Sequence, residues 1–277
     1  MSNTKMPDLN GFTFKKSLGQ NFLTDLSVCE RMAKRADKDT YVLEIGPGAG
    51  VLTKQLCREA KRVIAIEIDT RLKPILEKEL AGFDNVKVIF ADVLKLDLKS
   101  LIKEEFGENA RVIICANLPY YITSPIIMGI LCQRLPVESL TVMVQKEAAE
   151  RLCAEVGDRA AGAVTAAVRY YSRPEILFLV KKESFVPAPK VDSAVINLEI
   201  LNEPPVEVLD EKFFMSVVKS CFAQRRKTLL NSVSNTLGIS KETIKNALLK
   251  MGLSESVRGE SLTLSNLADL SNLLYKK

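Results

Sequence analysis

The sequence contains no histidine. That absence excludes Ser-His-Asp and Cys-His nucleophile systems, histidine general bases and HExxH zinc sites. Whatever chemistry occurs must run on carboxylates, amides, backbone groups, rings, lysines or a bound cofactor. No apolar run approaches the roughly 18–20 residues needed to cross a bilayer. The N-terminal stretch MSNTKMPDLNGFTFKKSLGQNFL lacks the apolar core of a secretory signal, and its charge is too mixed for a transit peptide. A cytoplasmic protein with no membrane partner is therefore expected. Cysteines at 29, 57, 115, 132, 153 and 221 form no CxxC pair. They are expected as reduced buried thiols, neither disulfides nor metal ligands, and no metal is expected.

What is present is an ordinary globular composition, 47% apolar and 26% charged over 277 residues, enough for one large domain and one small one. The net charge of +5 is unevenly placed: from Val206 onward eleven Lys and Arg face seven Asp and Glu. A basic tail on a nearly neutral body suggests a polyanionic partner. From Tyr41, short runs of β-branched residues (YVLEI, RVIAIEID, NVKVIFAD, ARVIICAN, SLTVMVQ) alternate with amphipathic helical stretches. That alternation indicates an α/β domain with a parallel sheet covered on both faces. EILFLVKK and SAVINLEI read as two further strands at its edge. At LNEPPVEV the composition changes to that of a linker, and every later segment reads as helix: 211–222, 227–237, 241–251 and 264–275. Ser240 and Ser265 fit as N-caps, and the glycines at 238, 252 and 259 as stops. The expected division is 1–203 for the α/β domain and 204–277 for a small all-α domain.

The loop EIGPGAG, 44–50, falls between the first strand and its helix. Its glycines at 46, 48 and 50 let the backbone turn sharply and approach a ligand. Glu67 ends the second strand, about 20 residues on, where an acid can grip ribose hydroxyls. Asp92 ends the third. Three successive strands thus bring a glycine turn or an acid to the carboxyl edge of the sheet, where ligands of open α/β folds bind. An adenosine-containing cofactor is implied. NAD and S-adenosylmethionine both remain candidates, and the GxGxG spacing favours the second.

The fourth strand ends in Asn117-Leu118-Pro119-Tyr120. An exocyclic amine on a nucleobase is a poor nucleophile, because its lone pair is delocalised into the ring. Two acceptors gripping its hydrogens would draw the nitrogen toward tetrahedral geometry and hold the lone pair on a methyl donor, so that catalysis is mostly positioning. The Asn117 side-chain oxygen can be one acceptor, and the carbonyl of Leu118 or Pro119 the other. Tyr120 can stack on the base. The competing interpretation is a strand-ending Asn-Pro turn with packed tyrosines.

KKSLGQNFLTD, VLEIGPGAGVLT, ANLPYYITSP, FVPAPKVDSAV and CFAQRRKTLLN, in that order, resemble the ribosomal RNA adenine N6,N6-dimethyltransferases, specifically the small-subunit (KsgA-type) enzymes. The resemblance covers essentially the whole chain. It implies a Rossmann-like class I methyltransferase domain with a mostly parallel seven-stranded sheet, followed by a helical RNA-binding domain. It implies S-adenosylmethionine held by Asn21 and Leu23, by Gly46 with Gly48 in the loop, by Glu67 at the ribose, Asp92 near the adenine and Asn117 at the reacting end. It places Phe185 against the target base opposite Tyr120, and two adjacent adenosines in the 3′-terminal hairpin loop of small-subunit rRNA as substrate, within a pre-ribosomal small subunit. A monomer is expected. Lys15, Lys16, Lys190, Arg225, Arg226 and Lys227 become candidate RNA contacts; a solvated surface lysine explains Lys190 equally well, whereas for Arg225, Arg226 and Lys227 the basic domain and the resemblance favour phosphate contact over a solvated face. The large-subunit rRNA adenine methyltransferases share the fold and the Asn-x-Pro-Tyr chemistry; a non-catalytic RNA-binding relative and a dehydrogenase are the remaining alternatives.

Overall fold

The computed structural model describes residues 21–119 and 122–275. The first strand of the main sheet is β2 (Tyr41–Ile45); the short β1 (Phe22–Leu23) and helix α1 (Leu26–Ala33) precede it. Then follow α2 (Val51–Glu59), β3 (Arg62–Glu67), α3 (Lys73–Leu80), β4 (Val86–Phe90), α4 (Leu98–Phe106), β5 (Val112–Asn117), α5 (Thr123–Cys132) and β6 (Ser139–Gln145). Helices α6 (Lys146–Cys153) and α7 (Ala163–Tyr171) lead to β7 (Ser172–Val180), β8 (Phe185–Val186) and β9 (Ser193–Ile200).

Seven strands form one sheet in the order β4-β3-β2-β5-β6-β9-β7. Pairs from β4 through β6 are parallel, and β9 runs antiparallel to β6. The near-continuous apolar runs of β2, β3 and β5 are explained by burial on both faces: Val42, Leu43, Val63, Ile64 and Ile114 are all inaccessible to solvent. The chain moves from β2 toward β4 on one side, then returns to place β5 on the other side of β2. This reversal opens a crevice at the carboxyl ends of β2 and β5.

By internal contacts the chain divides into two compact units, Met1–Ala149 with Glu175–Ile200, and Glu150–Pro174 with Leu201–Lys277. The second division falls beside the boundary read at 203. Glu150–Pro174, however, was read with the α/β domain and groups with the helical unit. The reason is aromatic packing on α8 (Glu211–Ala223): Tyr170 lies 4.9 Å from Phe214, and the Tyr171 hydroxyl donates to Glu211 at 2.7 Å. The helical unit continues with α9 (Leu229–Leu237), α10 (Lys241–Lys250) and α11 (Leu264–Leu274). Among the described residues no helix is long and apolar enough to cross a membrane.

Ser240 caps α10 as expected, accepting from the Thr243 N–H. For α11 the cap is Thr263, not Ser265. Thr263 Oγ1 accepts from the Asn266 N–H while Asn266 Oδ1 accepts from the Thr263 N–H, each at 3.2 Å, a reciprocal pair that Ser265 cannot make from inside the first turn. Gly238 ends α9 in the left-handed conformation. Gly259 does not end a helix; it opens a 3-10 turn, and a Cβ there would stand 2.1 Å from the Cys221 carbonyl oxygen. Gly259→Ala is therefore expected to destabilise the helical unit by about 1–3 kcal/mol, read as a lower urea midpoint. An unchanged midpoint would mean the 3-10 turn shifts freely.

Candidate functional site

The site is assembled where β2, β3, β4 and β5 end. The loop after β2 is tied down at two points: Gly46 N–H donates to the Ile66 carbonyl at 2.9 Å, and Gly48 N–H donates to Glu67 Oε2 at 3.1 Å. Gly46 and Gly48 sit at φ +72° and +57°, a region that side chains disfavour. A Cβ at Gly48 would also press to 2.9 Å from the Phe22 ring. Glycine is thus required here for conformation and for space.

Glu67 is 5% exposed, and its other oxygen accepts from the Asp69 N–H at 2.8 Å. Burial raises its pKa above the usual carboxylate value, against the lowering effect of those backbone donors. The one side chain therefore fixes the glycine loop to the end of β3. Asp92, two residues past β4, accepts from the Leu94 N–H at 3.1 Å and caps a 3-10 turn, with Lys95 3.6 Å away.

Asn117 is the last residue of β5, and the loop comes close to it: a Cβ on Gly46 would lie 3.8 Å from its carbonyl. Leu118 follows, fully buried, its N–H donating to the Met143 carbonyl at 3.3 Å. The Pro119 carbonyl accepts from both the Ile122 N–H (3.1 Å) and the Thr123 hydroxyl (3.2 Å). A carbonyl oxygen has two lone pairs, so both of those on Pro119 are engaged.

One cavity joins these elements. Asn21, Leu23, Gly46, Gly48 and Glu67 line it, as do Asp92, Asn117, Leu118, Pro119 and Phe185. A two-stranded antiparallel ribbon brings its ends together: Phe22 pairs with Val186 and Leu23 with Phe185. Phe185 is only 3% exposed and shares a buried apolar cluster with Leu23 and Val28. Tyr120, Lys15 and Lys16 lie outside the described residues. Lys190 is exposed and away from the cavity lining.

In the helical unit, Arg226 and Lys227 are exposed and make no ion pair among the described residues. Arg225 is engaged: its Nε donates to Glu260 at 3.2 Å and its Nη2 to the Arg159 carbonyl at 2.9 Å.

One lining residue escaped the sequence reading. Glu44, the penultimate residue of β2, is 1% exposed and its pKa is pushed up to about 8, chiefly by burial. It stood inside the EIGPGAG signature, but a strand-ending acid gives no sign in sequence that it is buried. The described lining holds three carboxylates, Glu44, Glu67 and Asp92, and no Lys or Arg. Among the described residues no group of three cysteine or acidic side chains could hold a metal ion.

Residues 11–274 match the family described as ribosomal RNA adenine dimethylase. The chain is 50% identical over 269 residues to the ribosomal RNA small subunit methyltransferase A of Geobacillus thermodenitrificans, covering 95% of this chain and 92% of that protein. Among solved structures, the 23S rRNA methyltransferase ErmE is similar with TM-score 0.68 and 28% identity, covering 92% of this chain and 99% of that one. A dimethyladenosine transferase from Plasmodium falciparum is similar with TM-score 0.71 and 26% identity, covering 90% and 95%.

Proposed function

The chain belongs to the ribosomal RNA adenine dimethylase family, and from that premise we propose that it dimethylates the N6 amines of two adjacent adenosines in the 3′-terminal hairpin loop of small-subunit rRNA, using S-adenosylmethionine. The observation that carries this reading is Asn117 at the end of β5, beside a glycine loop and a cavity whose described lining residues include three acids and no Lys or Arg. A dinucleotide's pyrophosphate would face three carboxylates there and, among the described lining residues, no counter-charge. A sulfonium cation suits the same lining. The 50% identity to a small-subunit enzyme, against 28% to a large-subunit one, favours the small-subunit substrate.

S-adenosylmethionine supplies a methyl group on a positively charged sulfur, open to in-line attack. The chain's own work is positioning. Glu67 holds the glycine loop and would accept from the ribose hydroxyls, Asp92 would hold the adenine, and Asn21, Leu23, Gly46 and Gly48 would line the rest of the cofactor's site. Asn117 Oδ1 and the Leu118 carbonyl take the two hydrogens of the target amine, and the preference for Leu118 over Pro119 follows from the two donors already on Pro119. Tyr120 stacks on the base, worth about 1–3 kcal/mol, while Phe185 backs the cavity wall. The protein acts as a cytoplasmic monomer on a pre-ribosomal small subunit.

Lys15, Lys16, Lys190, Arg226 and Lys227 contact RNA phosphate, and Arg225 steadies the helical unit's loop beside them in sequence. Replacing Arg226 and Lys227 together with Ala is expected to weaken RNA binding and reduce the slope of log K against log salt by about 0.7–0.9 per lost contact. An unaltered slope would make both residues structural. The substrate is tested by methyl transfer to unmethylated small subunits and to naked large-subunit rRNA. Transfer to the first supports the reading, and transfer confined to the second overturns it.

A further inference from the structure

We propose that Thr123 is a positioning residue for methyl transfer: its hydroxyl, by holding the Pro119 carbonyl, fixes the direction in which the Leu118 carbonyl meets the target amine. The proposal rests on the reading above, in which Asn117 Oδ1 and the Leu118 carbonyl are the two acceptors. Thr123 opens α5 and is 3% exposed. It is not among the described residues that line the cavity, so any effect on the reaction passes through the backbone in front of it.

A backbone carbonyl turns with the peptide plane that carries it. The plane joining Leu118 to Pro119 is restrained from three sides. Upstream, the Leu118 N–H donates to the Met143 carbonyl of β6 at 3.3 Å. Within it, the proline ring restrains the backbone torsion φ of residue 119, so the plane cannot rotate freely between its neighbours. Downstream, the Pro119 carbonyl accepts from the Ile122 N–H at 3.1 Å and from the Thr123 hydroxyl at 3.2 Å. A carbonyl held by one donor still swings about that bond; a second donor on its other lone pair removes the freedom. Among the described residues Thr123 supplies the one side chain in this brace.

The brace is anchored in the core. Ile126, Ile127 and Ile130 of α5 are buried, and Ile122 and Ile126 also line the cavity. No side chain caps α5 at Ile122. A threonine hydroxyl at a helix start commonly accepts from an N–H of the first turn. Here it donates the other way, back to the segment that carries the acceptors. A grip that must stay aligned while the amine nitrogen changes shape is sensitive to displacements of about 1 Å.

The test compares Thr123→Val, which keeps the branched shape without the hydroxyl, with Thr123→Ser, which keeps the hydroxyl. Single-turnover transfer to unmethylated small subunits is measured at saturating cofactor, with S-adenosylmethionine affinity and the thermal melt measured separately. Thr123→Val should lower turnover about tenfold while cofactor Kd and the KM for small subunits stay within about twofold, and Thr123→Ser should recover turnover to within about threefold of native. A hydroxyl needed only for folding would lower the melt of Thr123→Val and leave its turnover unchanged, which overturns the proposal. A loss confined to Kd or KM, or an equal loss in both variants, overturns it too. If Thr123→Val does not fold, Thr123→Cys takes its place, being of serine's size with only a weak donor. Turnover well below that of Thr123→Ser then supports the proposal, and equal turnover overturns it. Native protein that transfers no methyl group to adenosine N6 overturns the underlying reading as well.

Discussion

Asn117→Ala is expected to lower kcat by roughly 100-fold or more while changing S-adenosylmethionine affinity less than about tenfold. In the proposed mechanism the amide acts on the amine that becomes the nucleophile. Its hydrogen bond strengthens as that nitrogen moves from planar toward tetrahedral, so the lost interaction belongs to the transition state. Alanine leaves the β5 backbone and its pairing with Met143 in place, since Asn117 is joined to β6 through the main chain. Asn117→Asp keeps an acceptor and should retain more turnover than Asn117→Ala. Single-turnover transfer to small subunits, with cofactor binding measured separately, divides the two effects. Equal turnover in Asn117→Ala and the native enzyme would leave the amine without the grip described above.

Glu67→Ala is expected to raise the cofactor Kd by about 100-fold, with a much smaller change in kcat at saturating cofactor. Two interactions vanish together. The Gly48 and Asp69 N–H groups lose their acceptor, and each unpaired buried donor is worth about 1–3 kcal/mol. In the proposed site the ribose would also lose its partner. Tenfold in affinity corresponds to about 1.4 kcal/mol, so losing one such bond and part of the second accounts for the expected change. Glu67→Gln should fall between: its amide nitrogen must confront one of two N–H donors, leaving a single good acceptor. Equilibrium binding measures this directly, and an affinity within twofold of native would show that the loop holds without Glu67.

The sheet was legible because its strands are buried on both faces, which writes uninterrupted β-branched runs such as VIICA and RVIAI into the sequence. Glu67, Asp92 and Asn117 stand out in the sequence because each closes such a run or follows just past it, and the fold brings all three to the cavity lining. Features set by contacts between distant segments were not. The β1–β8 ribbon rests on two residues from each strand, too few for any period to register. Helices α1 and α6 are eight residues long and follow directly on a turn and a strand, so neither stood out. Gly259 looked like a helix stop because glycine usually serves that end, yet here it makes room for the Cys221 carbonyl. Arg225 was grouped with its two basic neighbours, and only the fold reveals that Glu260 and the Arg159 carbonyl engage it. Phe185 carries a stacking role by resemblance alone; sequence does not show that it is 3% exposed while lining the cavity. Glu44 was hidden for a related reason: sequence shows an acid but not the dryness around it.

The most direct measurement is mass-spectrometric mapping of methylated nucleotides after incubating the protein and S-adenosylmethionine with unmethylated small subunits. Two neighbouring adenosines in the 3′-terminal hairpin loop, each bearing two methyl groups on N6, are the predicted result. Methyl groups found only elsewhere, or none on either adenosine while the cofactor demonstrably binds, would contradict it.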